Sequence, residues 1–168
     1  MKAKNGNTER FTVVIKLKPY LQEYLMGKME GDINTSLKEL VGSIVVPFIE
    51  RPPIDYVPCF KRDDRDFDVS LLNNVRGIDI SSGKYYISEA NLQNIERIID
   101  KHFSDLYLQY MNDKVRYTKK IKDVIYQFCL DYNITCDNIN YEMLKKRYYR
   151  YSKKKVRKSV SKLSFIFL

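Results

Sequence analysis

The sequence predicts an α+β fold that is mainly helical, and three observations point to it. In residues 10–18 every second side chain, Phe11, Val13, Ile15 and Leu17, is apolar, and those between them are polar except Val14, which is the mark of a strand with one buried face. From residue 88 onward apolar side chains return every three or four positions, as on amphipathic helices. Between these stretches the chain is broken by proline, glycine and aspartate. The expected organisation is a flexible arm at 1–9, a small strand-helix-helix unit at 10–50, a loop-rich connection with short strands at 51–87, a basic domain of three helices at 88–158 and an apolar tail at 159–168. At 168 residues there is room for one ordinary domain or two small ones, and 44% hydrophobic with 30% charged residues is a globular balance.

Taken in order, the polar arm is followed by a strand with Phe11, Val13, Ile15 and Leu17 on its buried side and Thr12, Val14 and Lys16 facing outward. Pro19 suits the first position of a helix, which Tyr20, Leu21, Tyr24 and Leu25 continue until Gly27 and Gly31 loosen it. A second helix is expected over 33–50, with Asn34, Thr35 or Ser36 as its cap and Leu37, Leu40, Val41, Ile44, Val45 and Phe48 buried, interrupted at Pro47.

This order of strand, helix, turn and helix resembles the ribbon-helix-helix DNA-binding family, the fold of the Met and Arc repressors, over about residues 10–50. The resemblance implies a homodimer whose paired strands enter the major groove, with Thr12, Val14 and Lys16 toward the bases and Asn34, Thr35 and Ser36 near a phosphate. The same strand also suits an ordinary sheet in a small α+β domain. Its partner separates the two readings: a second copy in the first, strands from the 54–80 region of its own chain in the second.

Residues 50–84 read as loops with short strands at about 66–71 and 77–80. Asp63, Asp64, Asp66 and Asp68 would offer oxygens to a hard cation, but Arg62 and Arg65 interleave with them and no ligand spacing appears. A solvated loop is the preferred reading, with no metal or cofactor. Ser88 then caps the longest helix, about 89–112, where Leu92, Ile95, Ile99, His102, Leu106 and Tyr110 step along one face, widened by Ile98, Phe103 and Tyr107. That stripe is too wide for a strict heptad, so a core helix is favoured over a dimer seam. His102, the single histidine, is expected there as a hydrogen-bonded core residue rather than a catalytic base.

The basic end carries the functional reading. Ile121, Val124, Ile125, Phe128, Cys129 and Tyr132 define a supporting helix, and after a short polar break Asn140 is expected to cap a second helix with Met143, Leu144, Tyr148 and Tyr151 among many cations. Between residues 114 and 158 there are 14 Lys and Arg against 4 Asp and Glu, a net +10 where the whole chain is +9. Charge so confined points to a polyanion rather than to general solubility; a merely solvated basic end is the competing reading. The helix pair at 119–155 resembles a helix-turn-helix, atypical in its longer connection. On that reading Lys145, Lys146, Arg150 and Lys153 lie near phosphates, Arg147 and Tyr148 reach toward base edges, and Tyr149 stacks or bonds a phosphate. Lys154, Lys155, Arg157 and Lys158 extend the basic helix, and Lys119 and Lys120 add charge at the start of the supporting one.

The expectation is therefore a non-catalytic protein that binds nucleic acid, duplex DNA before RNA, as a regulatory or accessory factor. A protein-interaction or virion structural module with a nonspecific basic surface is the alternative, and RNA binding the second alternative. No phosphate-binding loop, nucleophile elbow or HExxH occurs. The lysine- and tyrosine-rich composition resembles proteins of phages and mobile elements. Three cysteines with no CxxC pair suggest a reducing compartment. With neither a signal-peptide pattern nor a membrane span in the sequence, the cytoplasm is expected, that of the host if the chain is phage-encoded.

Overall fold

A computed structural model describes residues 10–29, 41–56, 62–72, 85–117 and 120–164, with side chains of the last helix described as far as Lys154. The α+β, mainly helical class holds. The alternating segment forms β1 (Arg10–Lys16), which pairs antiparallel with β2 (Asp66–Leu72), Val13 opposite Val69 and Ile15 opposite Phe67. The period of two places Val13, Ile15 and Leu17 in the core with Phe67, Val69 and Leu71, while Thr12 stays exposed.

The ribbon-helix-helix expectation needed a strand whose partner comes from a second copy. Here β1 has its partner in β2 of its own chain, and Val13, Ile15 and Leu17 are buried without a second chain. Thr12, Val14 and Lys16 do point away from the core, as the alternation required. The phosphate candidates Asn34, Thr35 and Ser36, the arm at 1–9 and the possible strand at 77–80 lie outside the described residues.

Proline opens α1 (Pro19–Met29), which adds Tyr20, Leu21, Tyr24 and Leu25 to the core. Residues 41–45 are helical, and the helix tightens into the 3-10 turn Val46–Phe48 at Pro47, whose missing N–H and ring do not fit an α-helix interior. Val41, Val45 and Ile49 are buried along this stretch. At Gly42 a Cβ would lie 3.2 Å from Leu71 Cδ2, so the missing side chain is what lets helix and strand approach. Each fully buried aliphatic residue contributes about 1.5–3 kcal/mol relative to exposure.

The long helix, α2 (Glu89–Val115), begins as expected, with Ser88 Oγ accepting the Asn91 N–H at 3.3 Å. Its buried line differs from the one drawn on the sequence: Ile95, Ile99, Phe103, Tyr107 and Met111 are buried, Ile98 is exposed, and His102 is exposed rather than in the core. Strict steps of four drift by about 40° each on a helix of 3.6 residues per turn, so this line winds slowly around α2. A row of alternating threes and fours, such as the one that contains His102, stays straight and leaves that line.

The chain divides into two compact units between Asp100 and Lys101, inside α2. In the first unit Glu96 receives Lys18 at 3.3 Å and Arg65 at 2.6 Å, and the Tyr20 hydroxyl donates to Asp100 at 2.5 Å. The aspartates of the middle segment serve this fold. Lys16 Nζ stands 2.7 Å from Asp63 and 2.5 Å from Asp66, and Arg62 forks onto Asp68 at 3.1 and 3.2 Å. Bonds from Lys16 and from the Arg65 N–H hold the Asp63 carboxyl below its ordinary range, and the same pairing with Asp63 and then Asp66 raises the Lys16 ammonium above its own.

A pH window follows from those two directions. A depressed carboxylate stabilises the fold above its unfolded pKa, about 4, and that contribution disappears as pH falls through the lower folded value; a raised lysine stabilises below about pH 10 and loses its contribution as pH rises further. The lock is therefore complete between those limits. Asp63→Asn should lower stability at neutral pH and flatten its decline below pH 4, a slope read by acid titration of near-ultraviolet circular dichroism in both proteins.

The second unit contains the remainder of α2, α3 (Ile121–Asp131) and α4 (Asn138–Ser164). Its centre is aromatic. Phe128 meets Phe103, Tyr107 and Tyr110 edge-on at ring-centroid distances of 5.8, 4.9 and 5.2 Å, and stacks on Tyr132 at 4.6 Å. Tyr107 is fully buried and its hydroxyl donates to the Leu144 carbonyl of α4 at 3.0 Å; burial pushes that phenol far above its ordinary pKa, so it stays a donor.

Candidate nucleic-acid interface

The basic helix is placed by the supporting helix and by the turn between them. In α3 the residues Val124, Ile125, Phe128 and Cys129 are buried, the face its spacing predicts. The helix ends on Asn133, whose φ of 52° is left-handed. The Ile134 N–H returns to the Cys129 carbonyl at 2.8 Å and the Asn133 N–H to the Leu130 carbonyl at 3.2 Å, the paired bonds of a Schellman stop, and Ile134 is buried beside it. Asparagine tolerates this backbone where β-branched residues do not. Asn133→Val should therefore cost roughly 1–2 kcal/mol in urea unfolding, while Asn133→Gly should be neutral or slightly stabilising.

The start of α4 corrects one expectation. Asp137, not Asn140, is the cap: Asp137 Oδ1 accepts the Asn140 N–H at 2.7 Å, and the Asn140 side chain instead donates to the Thr135 carbonyl at 2.7 Å. A carboxylate suits the positive helix N-terminus, and the cations toward the other end suit its negative pole. The helix is also longer than predicted, 27 residues with ten Lys or Arg and one Glu.

Helical spacing sorts these cations into two groups. The inward side holds Leu144, fully buried, with Arg147 and Tyr151 half-buried. Arg147 donates to Ser104 Oγ and to Met143 Sδ, and its guanidinium lies 5.5 Å from the Phe103 ring centroid. Expected to read base edges, Arg147 is occupied in packing α4 against α2. The Tyr151 hydroxyl accepts from Asn112 Nδ2 at 3.1 Å. Tyr148, the other expected reader, is half-buried, and its carbonyl accepts the Ser152 hydroxyl at 3.0 Å.

On the outward side Lys146, Tyr149, Arg150, Lys153 and Lys154 are exposed. Among the described residues the four cations of this group form no ion pair. Lys145 differs: it bridges to Glu142 at 3.0 Å, which raises its pKa, and sits 5.4 Å from the Tyr141 ring. Lys120 is exposed at the start of α3. Lys155, Arg157 and Lys158 lie on the continuing helix but their side chains are outside the described residues, as is Lys119 altogether. The N-terminal candidates belong elsewhere: Lys16 is held by Asp63 and Asp66, and Thr12 and Val14 precede it on β1 in the first unit.

A feature that residue spacing did not disclose is an open groove of about 500 Å³ between the beginning of α3 and α4, lined by Lys120, Lys122, Asp123, Tyr141, Lys145 and Tyr149. The cue lay in tyrosines three to four residues from lysines on both helices, which became a site only when the two helices were brought side by side. Among the described residues no group of His, Cys, Asp and Glu could hold a metal ion, and no helix is long and apolar enough to cross a membrane. Compared with protein-family models, curated proteins and solved structures, the chain matches none.

Proposed function

We propose that this chain is a non-catalytic nucleic-acid-binding protein, a regulatory or accessory factor acting on duplex DNA, with the outward side of α4 as its contact surface. One observation carries the reading: Lys146, Arg150, Lys153 and Lys154 are exposed on one helix, and no acidic side chain of the described residues neutralises them. Cations serving stability would be paired as Lys16 and Arg65 are; cations left facing water offer their full charge to an external anion. Lys146 to Lys153 spans about 10 Å at 1.5 Å per residue, and a helix about 10–12 Å across matches a major groove about 12 Å wide.

The test is salt dependence. Fluorescence anisotropy with a labelled duplex should show binding at ~50 mM salt that falls linearly on logarithmic axes as salt rises, because released counterions gain less entropy in a saltier solution, with a slope of about −0.9 per phosphate contacted. Absence of binding at low salt, or indifference to salt, rejects the reading. A second reading has its own support: lysine outnumbers arginine on the exposed side and Arg147 is occupied, so backbone contact dominates over base reading, as in a structural or packaging protein. Selection from a random duplex pool separates them, enriching a site for a regulator and none for a structural binder.

A further inference from the structure

We infer that the groove between the beginning of α3 and α4 receives an unpaired nucleotide, its base stacking on Tyr149 and its phosphate held by Lys120 and Lys122. The inference rests on the nucleic-acid reading above and adds a ligand class to it: the preferred partner is a strand with an unpaired segment adjoining the duplex that α4 contacts.

Four observations carry it. The groove is mixed in chemistry, with tyrosine rings on the α4 side and lysines at the start of α3, and a nucleotide is a ligand with both an aromatic plane and an anion. Tyr149 is 44% exposed although it is a large aromatic residue, and its neighbour Tyr148 meets it only in a tilted arrangement at 6.1 Å, leaving ring surface open. Tyr126 and Tyr141 are already stacked on each other, at 5.5 Å with 20° between their planes, so the Tyr141 ring that lines the groove is held in place by a second ring. Finally, Lys122 lies 5.7 Å from the Tyr126 ring and Lys145 lies 5.4 Å from the Tyr141 ring, which keeps cations beside the ring faces where a base and its phosphate would arrive together.

The groove also adjoins the duplex surface without competing for it. Tyr141, Lys145 and Tyr149 are spaced by four along α4, and Lys146, Arg150 and Lys153 run on the adjacent line of the same helix. A strand following those cations has Tyr149 one residue from its path. Asp123 at the groove edge and Glu142 bound to Lys145 lower the local charge, so affinity here depends on stacking more than on the phosphate alone. That difference is what an experiment can read.

The chain contains no tryptophan, so Tyr149→Trp introduces a single indole at the groove. Binding of the full chain is compared between a blunt hairpin duplex and the same hairpin with a short single-stranded thymine extension, and with a uracil ribonucleotide extension. The expected result is that one or both extensions tighten binding about tenfold and quench the indole, that Tyr149→Ala removes the advantage, and that Tyr149→Phe keeps it. The extension that binds more tightly identifies the source of the unpaired nucleotide, deoxyribose or ribose. Equal affinity for blunt and extended hairpins without quenching overturns the groove inference and leaves the duplex reading standing. Absence of binding to every probe at ~50 mM salt overturns both. Tyr149 is exposed, and circular dichroism of each variant verifies that the fold is retained.

Discussion

Phe128→Ala should cost about 3–5 kcal/mol, the largest loss available to a single truncation in the second unit. The side chain is fully buried and meets four other rings, on α2 and in the turn after α3, so its removal deletes both the transfer free energy of a phenyl group and the edge-on contacts around it. Those neighbours are themselves anchored. The Tyr110 hydroxyl donates to Asp131 at 2.6 Å and Tyr107 to the Leu144 carbonyl, so the rings cannot simply collapse into the space. Urea unfolding of the full chain, followed by tyrosine fluorescence and near-ultraviolet circular dichroism, measures the loss. A change below about 1 kcal/mol would mean that the ring cluster is not the centre of this unit.

The second large effect concerns binding. Replacing Lys146, Arg150 and Lys153 together by glutamine should lower duplex affinity by about two to three orders of magnitude at ~0.1 M salt and make the salt slope shallower by about three, because each phosphate contact contributes about 0.9 to it. All three side chains are exposed and form no ion pair among the described residues, so thermal stability should barely move. An unchanged slope would place the contact surface elsewhere. The control is Lys16→Gln. That lysine was a base-facing candidate by sequence, yet in the fold it is bound to two aspartates, and its replacement should lower stability while leaving the salt slope intact.

The residues show why some of this was legible in the sequence and some was not. Local periodicity foretold β1, α1, the buried face of α3 and the Ser88 cap, because each depends on spacing within a few residues. The role of Arg147 was hidden, since nothing in a run of lysines and arginines says which one faces inward; that is decided by Ser104 and Phe103, more than 40 residues earlier. The partner of β1 was likewise undetermined, because an alternating strand satisfies its edge equally well with its own chain or a copy. His102 falls outside the core for a subtler reason: between adjacent positions 102 and 103 the helix turns by about 100°, and the buried line takes Phe103. The stop at Asn133 was not singled out either, because an asparagine after an amphipathic row also reads as an ordinary loop residue until its left-handed φ of 52° is seen.

The pairing of β1 with β2 also sets an order of events in time. The closest pair in that ladder, Lys16 with Asp66, is separated by 50 residues, and the farthest, Arg10 with Leu72, by 62. Closing so long a loop precedes any return from the strand's hydrogen bonds, whereas α3 and α4 meet across the short turn between them and the contacts of α2 with α4 span fewer residues, 37 from Tyr107 to Leu144. The helical unit is thus the fast folder and the sheet the slow one. During synthesis β1 emerges before β2 and waits for it, an apolar strand with an open edge until β2 has been made. Lys16 and Lys18, charged residues within and just beyond that strand, are placed where they discourage its pairing with another chain in the interval.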